Sequence, residues 1–158
     1  MPTIDPEPTR VVADAGVLAA DLLVGDPART ALDRVREHSW MTLVASDPLL
    51  DDAAAVVAAL ASDSLASDWR ARAERACERV DHPGQDHPAL ASAYRGGAMH
   101  LLTLDESLLS AAAGAAIRGR VETSVRHPRA FATLFDAESL YREAVGGEYP
   151  GPDRDPRA

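Results

Sequence analysis

Four short runs dominate what this chain can fold into. Arg10–Ala13 (RVVA), Trp40–Ala45 (WMTLVA), Ala98–Leu102 (AMHLL) and Val121–Val125 (VETSV) each read as a strand, and a stretch with helical spacing separates each from the next. Hairpins need connections of only a few residues. Connections long enough to hold a helix instead bring the chain back across the sheet to lie parallel, by right-handed crossovers. The expected fold is therefore α/β, a three-layer α/β/α sandwich with a central mostly parallel sheet. Two helix starts carry a cap followed by proline: Asp26-Pro27, opening a helix to about His38, and Ser46-Asp47-Pro48, opening Leu49–Ala61. Further helices are expected at Gly16–Val24, Asp68–Val80, Ala89–Arg95, Glu106–Ala113, Arg129–Phe135 and Asp136–Val145. Residues 1–9 read as a flexible arm, 10–145 as one domain, and 146–158 (GGEYPGPDRDPRA) as a disordered tail.

A chain of 158 residues with 46% hydrophobic content can bury a core without disulfides. The single Cys77 reads as a small buried hydrophobe. No window holds 18 uncharged apolar residues, and the first ten residues lack the apolar run of a secretory signal, so a cytoplasmic protein without membrane contact is expected.

The charge inventory excludes more. There are 16 Arg and no Lys, so a P-loop, which needs its Lys on the phosphates, is ruled out. Receiver domains and haloacid-dehalogenase-type phosphatases also open with an aspartate after a strand, but they normally need a Lys as well. No G-x-G-x-x-G is present for a dinucleotide. The net charge of −9 is spread along the whole chain rather than gathered in one block, a pattern that fits a halophilic, high-salt setting. There the screening length falls to about 3 Å, and acidity does not exclude a polyanionic substrate.

In parallel sheets, ligands bind beyond the carboxyl ends of the strands. Asp14 directly follows the first strand and Asp105 lies just past the third. Asp86 stands before the helix leading into that strand, and Asp51 and Asp52 lie in the first turns of the helix after the second. Carboxylates resist sharing a site unless a cation offsets their repulsion. Mg²⁺ takes oxygen ligands and commonly sits on one or two carboxylates plus substrate phosphate. Asp86 has a helix cap open to it, and Asp47, Asp51 and Asp52 a favourable charge in a first helical turn, whereas Asp14, directly after a buried strand, is expected to have no structural role.

The residues that carry these acids resemble the PIN-domain nucleases. V-V-A-D-A-G-V-L-A-A, from Val11, is similar to that family's strand-then-Asp entry. D-H-P-A-L-A-S-A-Y-R-G-G-A-M-H-L-L-T-L-D-E-S-L-L, Asp86 to Leu109, is similar to its Asp, Ala-rich helix, Gly-Ala, strand, Thr-x-Asp signature, with a 19-residue step between the two acids. S-D-P-L-L-D-D-A-A-A-V-V, Ser46 to Val57, resembles the segment bearing its second acid, and V-R-H-P-R-A-F, Val125 to Phe131, its closing strand-Pro-x-x-Phe. The resemblance implies a Mg²⁺- or Mn²⁺-dependent ribonuclease of the toxin or RNA-processing type. Asp14, Asp86 and Asp105 would be its metal-holding and catalytic acids. Asp52, with Asp51 as substitute, would stand where the family usually has Glu, and Thr103 would be the hydroxyl beside the last acid. A metal-activated water would attack phosphorus in line, leaving a 5′-phosphate and a 3′-hydroxyl.

With no Lys, RNA contacts fall to arginine, which binds phosphate bidentately: Arg95, Arg118, Arg120, Arg126 and Arg129 are the candidates. Trp40 and Trp69 lie on apolar stripes and are expected in the core. His100 is expected to pack within its strand and His127 to cap the following helix. His82 and His87, in the loop DHPGQDHP, are expected to face solvent. An antitoxin-like protein partner and a homodimer follow from the resemblance, with the helices at 68–80 and 136–145 as candidate contacts. The alternatives are a PIN-like binding or regulatory module without catalysis, and another Mg²⁺-dependent phosphohydrolase.

Overall fold

The computed structural model describes residues 5–82, 87–110 and 123–157. The apolar runs form a five-stranded sheet in which every pairing is parallel: β1 (Glu7–Ala13), β2 (Thr42–Ser46), β3 (Glu78–Val80), β4 (Ala98–Leu102) and β5 (Ser124–Arg126). The strand order is β3-β2-β1-β4-β5. From β1 the chain steps outward to β2 and β3, then crosses back to β4 and β5 on the other side. The order thus reverses between β1 and β4, so the two adjacent central strands flank a topological switch point.

The helices are α1 (Ala15–Leu23), α2 (Ala28–Arg36), α3 (Asp47–Leu60), α4 (Asp63–Ala76), α5 (Pro88–Gly96), α6 (Glu106–Leu109), α7 (Pro128–Leu134) and α8 (Ala137–Ala144). They flank the sheet, as the α/β reading requires. Val11, Val12, Ala13, Leu101 and Leu102 of the central strands are all buried, because each strand is covered on both faces. The helix α5 lies unusually close to β2. A Cβ on Gly96 would come within 2.3 Å of Val44 Cγ1, so only glycine permits that approach. Gly97 then closes α5 in the left-handed region, with φ of 60°. At the other end of α5, the buried Ser92 Oγ donates to Pro88 O (2.7 Å) and accepts from Ser46 N–H (3.0 Å). This fixes the start of α5 against the end of β2.

Several sequence expectations are corrected. The first strand begins at Glu7, inside the expected flexible arm, because Glu7 N–H donates to Gly97 O (2.8 Å) and anchors it. The helix expected over Asp68–Val80 starts at Asp63, capped by Ser62, and ends at Ala76. The residues after it, Glu78–Val80, pair with Val44–Ser46 as an edge strand. The pattern E-R-V holds no periodicity to reveal a strand, and pairing with β2 alone makes it one. The N-cap of α2 is Pro27 rather than Asp26, and the helix starts at Ala28; Asp26, one residue further out, accepts from Thr30 N–H (3.0 Å). The fourth expected strand is described at Ser124–Arg126, since residues 111–122 lie outside the described set.

The tail expected to be disordered is laid against α2. Arg157 makes a two-point ion pair with Asp33 (both contacts 2.7 Å), and the amides of Asp153 and Arg154 donate to Glu37 O. Ser39 N–H donates to Asp153 Oδ1 (2.7 Å). His38 is fully buried: its Nδ1–H donates to Arg34 O (2.6 Å) and its Nε2 accepts from the Tyr149 hydroxyl (2.6 Å). A polar, proline-rich composition suggested disorder, but one buried histidine and one clasped arginine give the tail specific partners. No helix among the described residues is long and apolar enough to cross a membrane.

Candidate functional site

The carboxyl ends of β1 and β4 meet at the switch point, and their continuations carry the acids. Asp14 N–H donates to Leu102 O (2.8 Å), which ties the residue after β1 to the last residue of β4. Asp14 is the N-cap of α1: its Oδ1 accepts from Ala15 N–H (2.8 Å). Its other oxygen, Oδ2, accepts from Thr103 Oγ1 (2.9 Å). Thr103 is fully buried, and the same hydroxyl oxygen accepts from Asp105 N–H (3.0 Å). One threonine therefore holds the side chain of one acid and the backbone of the other. Thr103 is itself held from the far side, its N–H donating to Arg126 O (3.0 Å) at the end of β5.

Asp105 is exposed and caps α6. Its Oδ1 accepts from Ser107 N–H (2.9 Å) and from Ser107 Oγ (2.7 Å). The Ser107 hydroxyl first, then the Ser107 amide, and more weakly the charge of His87, hold the Asp105 carboxyl below its ordinary value against a small desolvation cost. His87 is the residue after Asp86 and stands at the start of α5. His87 is the N-cap of α5, its Nδ1 accepting from Ala89 N–H (3.2 Å), and His127 caps α7 the same way, accepting from Arg129 N–H (3.0 Å). The His-Pro step was read as a cap only at His127, although both steps carry it.

Neither rim acid has a guanidinium within ion-pair distance among the described residues, although the chain holds 16 arginines. The acids of α3 differ. Asp47 and Asp51, one turn apart, face α4, where Arg70 binds both (3.1 Å each). The carboxylate of Asp51, the expected substitute metal ligand, is engaged by Arg70, a partner sequence spacing alone did not reveal. Asp52 lies about 100° around the helix from Asp51, exposed, with no described hydrogen-bond or ion-pair partner. Asp86 lies outside the described residues, as do Arg118 and Arg120. Among the described residues no group of three His, Cys, Asp or Glu could hold a metal ion. The acids brought together here are Asp14 and Asp105.

Of the candidate RNA contacts, Arg126 ends β5 beside Thr103, and Arg129 follows in the first turn of α7. No described carboxylate pairs with either. Arg95 is corrected. It sits in the last turn of α5, which runs opposite to the strands and ends at the sheet's other edge, where Gly97 O meets the first residue of β1. A five-residue strand, about 17 Å, separates that edge from the rim. Trp40 and Trp69 pack against the core as expected. His100 meets Phe131 edge to face, and burial first, then the charge of Arg126, push its imidazole below its ordinary value. Burial pushes the Cys77 thiol up to about 11, so it is no thiolate nucleophile at neutral pH.

The sequence matches DUF7384, a family of unknown function, over residues 5–157. The chain belongs to that family. No curated protein and no solved structure matches it. In this DUF7384 chain the match takes in the docked tail as well as the sheet, in keeping with a tail that packs as part of the domain.

The hydroxyl and amide donors around Asp105 were missed at the sequence level. Ser107, two residues on in D-E-S, was legible as a local Asp–Ser turn. The Ser46–Ser92 tie and the buried His38–Tyr149 pair join residues far apart in sequence and left no local signal.

Proposed function

We propose that this chain is a Mg²⁺- or Mn²⁺-dependent ribonuclease of the PIN type, working at the rim formed by Asp14, Thr103 and Asp105. One observation carries the reading. Two carboxylate residues at the switch point are locked together through a single buried hydroxyl and are neutralised by no described arginine. A carboxylate pair supplied only with neutral donors in an arginine-rich protein is a natural place for a cation.

The donor chemistry fits a hard dication. Asp14 gives each oxygen to one hydrogen bond, and Asp105 Oδ2 takes none from a described residue, so lone pairs remain on both acids. Mg²⁺ needs only one or two carboxylates when waters and phosphate complete its shell. Asp86 is proposed as the third acid, on the strength of the sequence resemblance, and Asp52 as the second-position acid. When bound, the ion would polarise a phosphoryl oxygen and lower the pKa of a water. The protein's own part is positioning. Thr103 holds the Asp14 carboxylate and the Asp105 backbone in fixed relation, and Ser107 keeps Asp105 ionised. Arg126 and Arg129 would receive the phosphates on either side of the scissile bond.

A second reading has its own support, because Asp14 and Asp105 each cap a helix. Two caps on a folded rim also suit a module that binds without cutting. Labelled RNA incubated with Mg²⁺ or Mn²⁺, beside Asp14→Asn and Asp105→Asn, separates the two. Cleavage by the native chain alone supports the nuclease. Absence of both cleavage and Mn²⁺ binding leaves the binding module.

A further inference from the structure

Away from the rim, beside the starts of β2 and β3, two adjoining cavities of about 460 and 190 Å³ share Arg36, Leu43 and Ala76 as walls. Six arginines line them: Arg29, Arg36, Arg72, Arg75, Arg154 and Arg157. The described acids on the walls are Asp21 and Asp155, and Asp33 clasps Arg157 from outside. Asp21 and Asp33 are spent on Arg36 at 2.6 to 2.7 Å, while Arg75 and Arg154 have no described carboxylate within ion-pair distance. The Arg36 Nε–H is buried with no described acceptor. Leu18, Leu22 and Leu43 give the larger cavity an apolar side, together with the half-buried ring of Trp69.

We propose that this groove is a second binding site, for a small organic phosphate carrying a planar ring. Arg75 and Arg154, two guanidinium groups with no described carboxylate partner beside the buried Arg36 Nε–H, suit a doubly charged phosphoryl group better than a single carboxylate, and guanidinium forks match its geometry. Trp69 and its leucine neighbours offer a face to the ring, and the larger cavity falls within the usual size range of ligand pockets. The tail forms one wall through Arg154 and Arg157, so a bound phosphate bridges α4 and the tail. This inference stands apart from the rim and from the ribonuclease reading.

The test titrates the full chain, in EDTA, with adenosine monophosphate, adenosine and inorganic phosphate by calorimetry, with tryptophan fluorescence recorded alongside. The monophosphate is expected to bind at least about tenfold more tightly than either fragment, because it alone engages both walls. Arg75→Ala combined with Arg154→Ala removes two exposed side chains that hold no described acid. It is expected to weaken the monophosphate about tenfold or more with an unchanged circular dichroism spectrum. Asp14→Asn at the rim should leave the affinity as it was. No saturable binding of the monophosphate, affinity equal to that of a fragment, an unaffected double variant, or loss of binding in Asp14→Asn would each overturn the site.

Discussion

The two edges of the sheet handle charge in opposite ways. At the carboxyl edge, Asp14 and Asp105 are held by a threonine, a serine and backbone amides, all neutral donors. At the amino edge, Asp21 and Asp33 are consumed by Arg36, Arg29 and Arg157, and arginines are left over. Net charge predicts neither arrangement. A chain with nine more acids than bases could have scattered both kinds evenly. Instead the fold leaves Asp14 and Asp105 without a described guanidinium partner at the switch point, and Arg75 and Arg154 without a described carboxylate partner at the other end. A segregation of this kind costs self-energy on each side, which a bound ion of opposite sign relieves.

The comparison breaks most decisively at the rim. Asp14→Asn and Asp105→Asn should each lower RNA cleavage about a hundredfold or more, the scale expected when a group that stabilises transition-state charge is removed. The fold should survive, since asparagine still accepts as a helix N-cap. A cleavage time course with circular dichroism on the same samples checks both halves. Retained activity in either variant would remove the rim from the chemistry.

Thr103→Val tests how far the rim depends on one hydroxyl. Valine keeps the shape but leaves a carboxylate oxygen and the Asp105 amide without their partner. The expected loss is about 1–3 kcal/mol in a denaturant melt, with Thr103→Ser recovering most of it. Equal stability of native and valine forms would show that water or the helix caps alone suffice.

His100 connects the rim to the core beneath it. Its folded pKa is depressed below 6.5, so below that pH the unfolded chain takes up a proton that the folded chain refuses. Its contribution to stability therefore diminishes as pH falls from 6.5 toward the folded value. Melting temperature measured across that window should slope downward on acidification, and His100→Phe should flatten the slope. A slope unchanged in His100→Phe assigns it to other groups.

The smallest effect belongs to the amino edge. Arg157→Ala cuts the two-point contact with Asp33, but the arginine is half exposed, so the cost should stay below about 1 kcal/mol. RNA cleavage should not change. A loss of several kcal/mol would mean that the tail is integral to the core rather than clasped onto it.

Local sequence carried much of the frame. The runs V-V-A and L-V-A announced buried strands, and Ser46-Asp47-Pro48 the helix start after the second, because apolar runs and cap residues act over a few positions; the cap that Asp14 makes was not read from sequence. The pairing of Asp14 with Asp105 was foreseeable once the strands were taken as parallel, since both acids then fall at one edge. The bridging role of Thr103 could not be read from T-L-D alone; it exists only because Asp14, 89 residues away, arrives at 2.9 Å.

By itself, then, the sequence determined four of the five strands, the Ser46 and His127 caps, the absence of lysine chemistry and the acids placed after β1 and β4. Tertiary structure decided that E-R-V is a strand, that Arg70 takes Asp51, that Arg95 ends α5 at the sheet's amino edge and that four arginines meet Arg154 and Arg157 of a docked tail. The physical reason is range. Capping and burial patterns are settled within a turn or a strand, whereas ion pairs and edge strands depend on which distant segments the crossovers bring side by side.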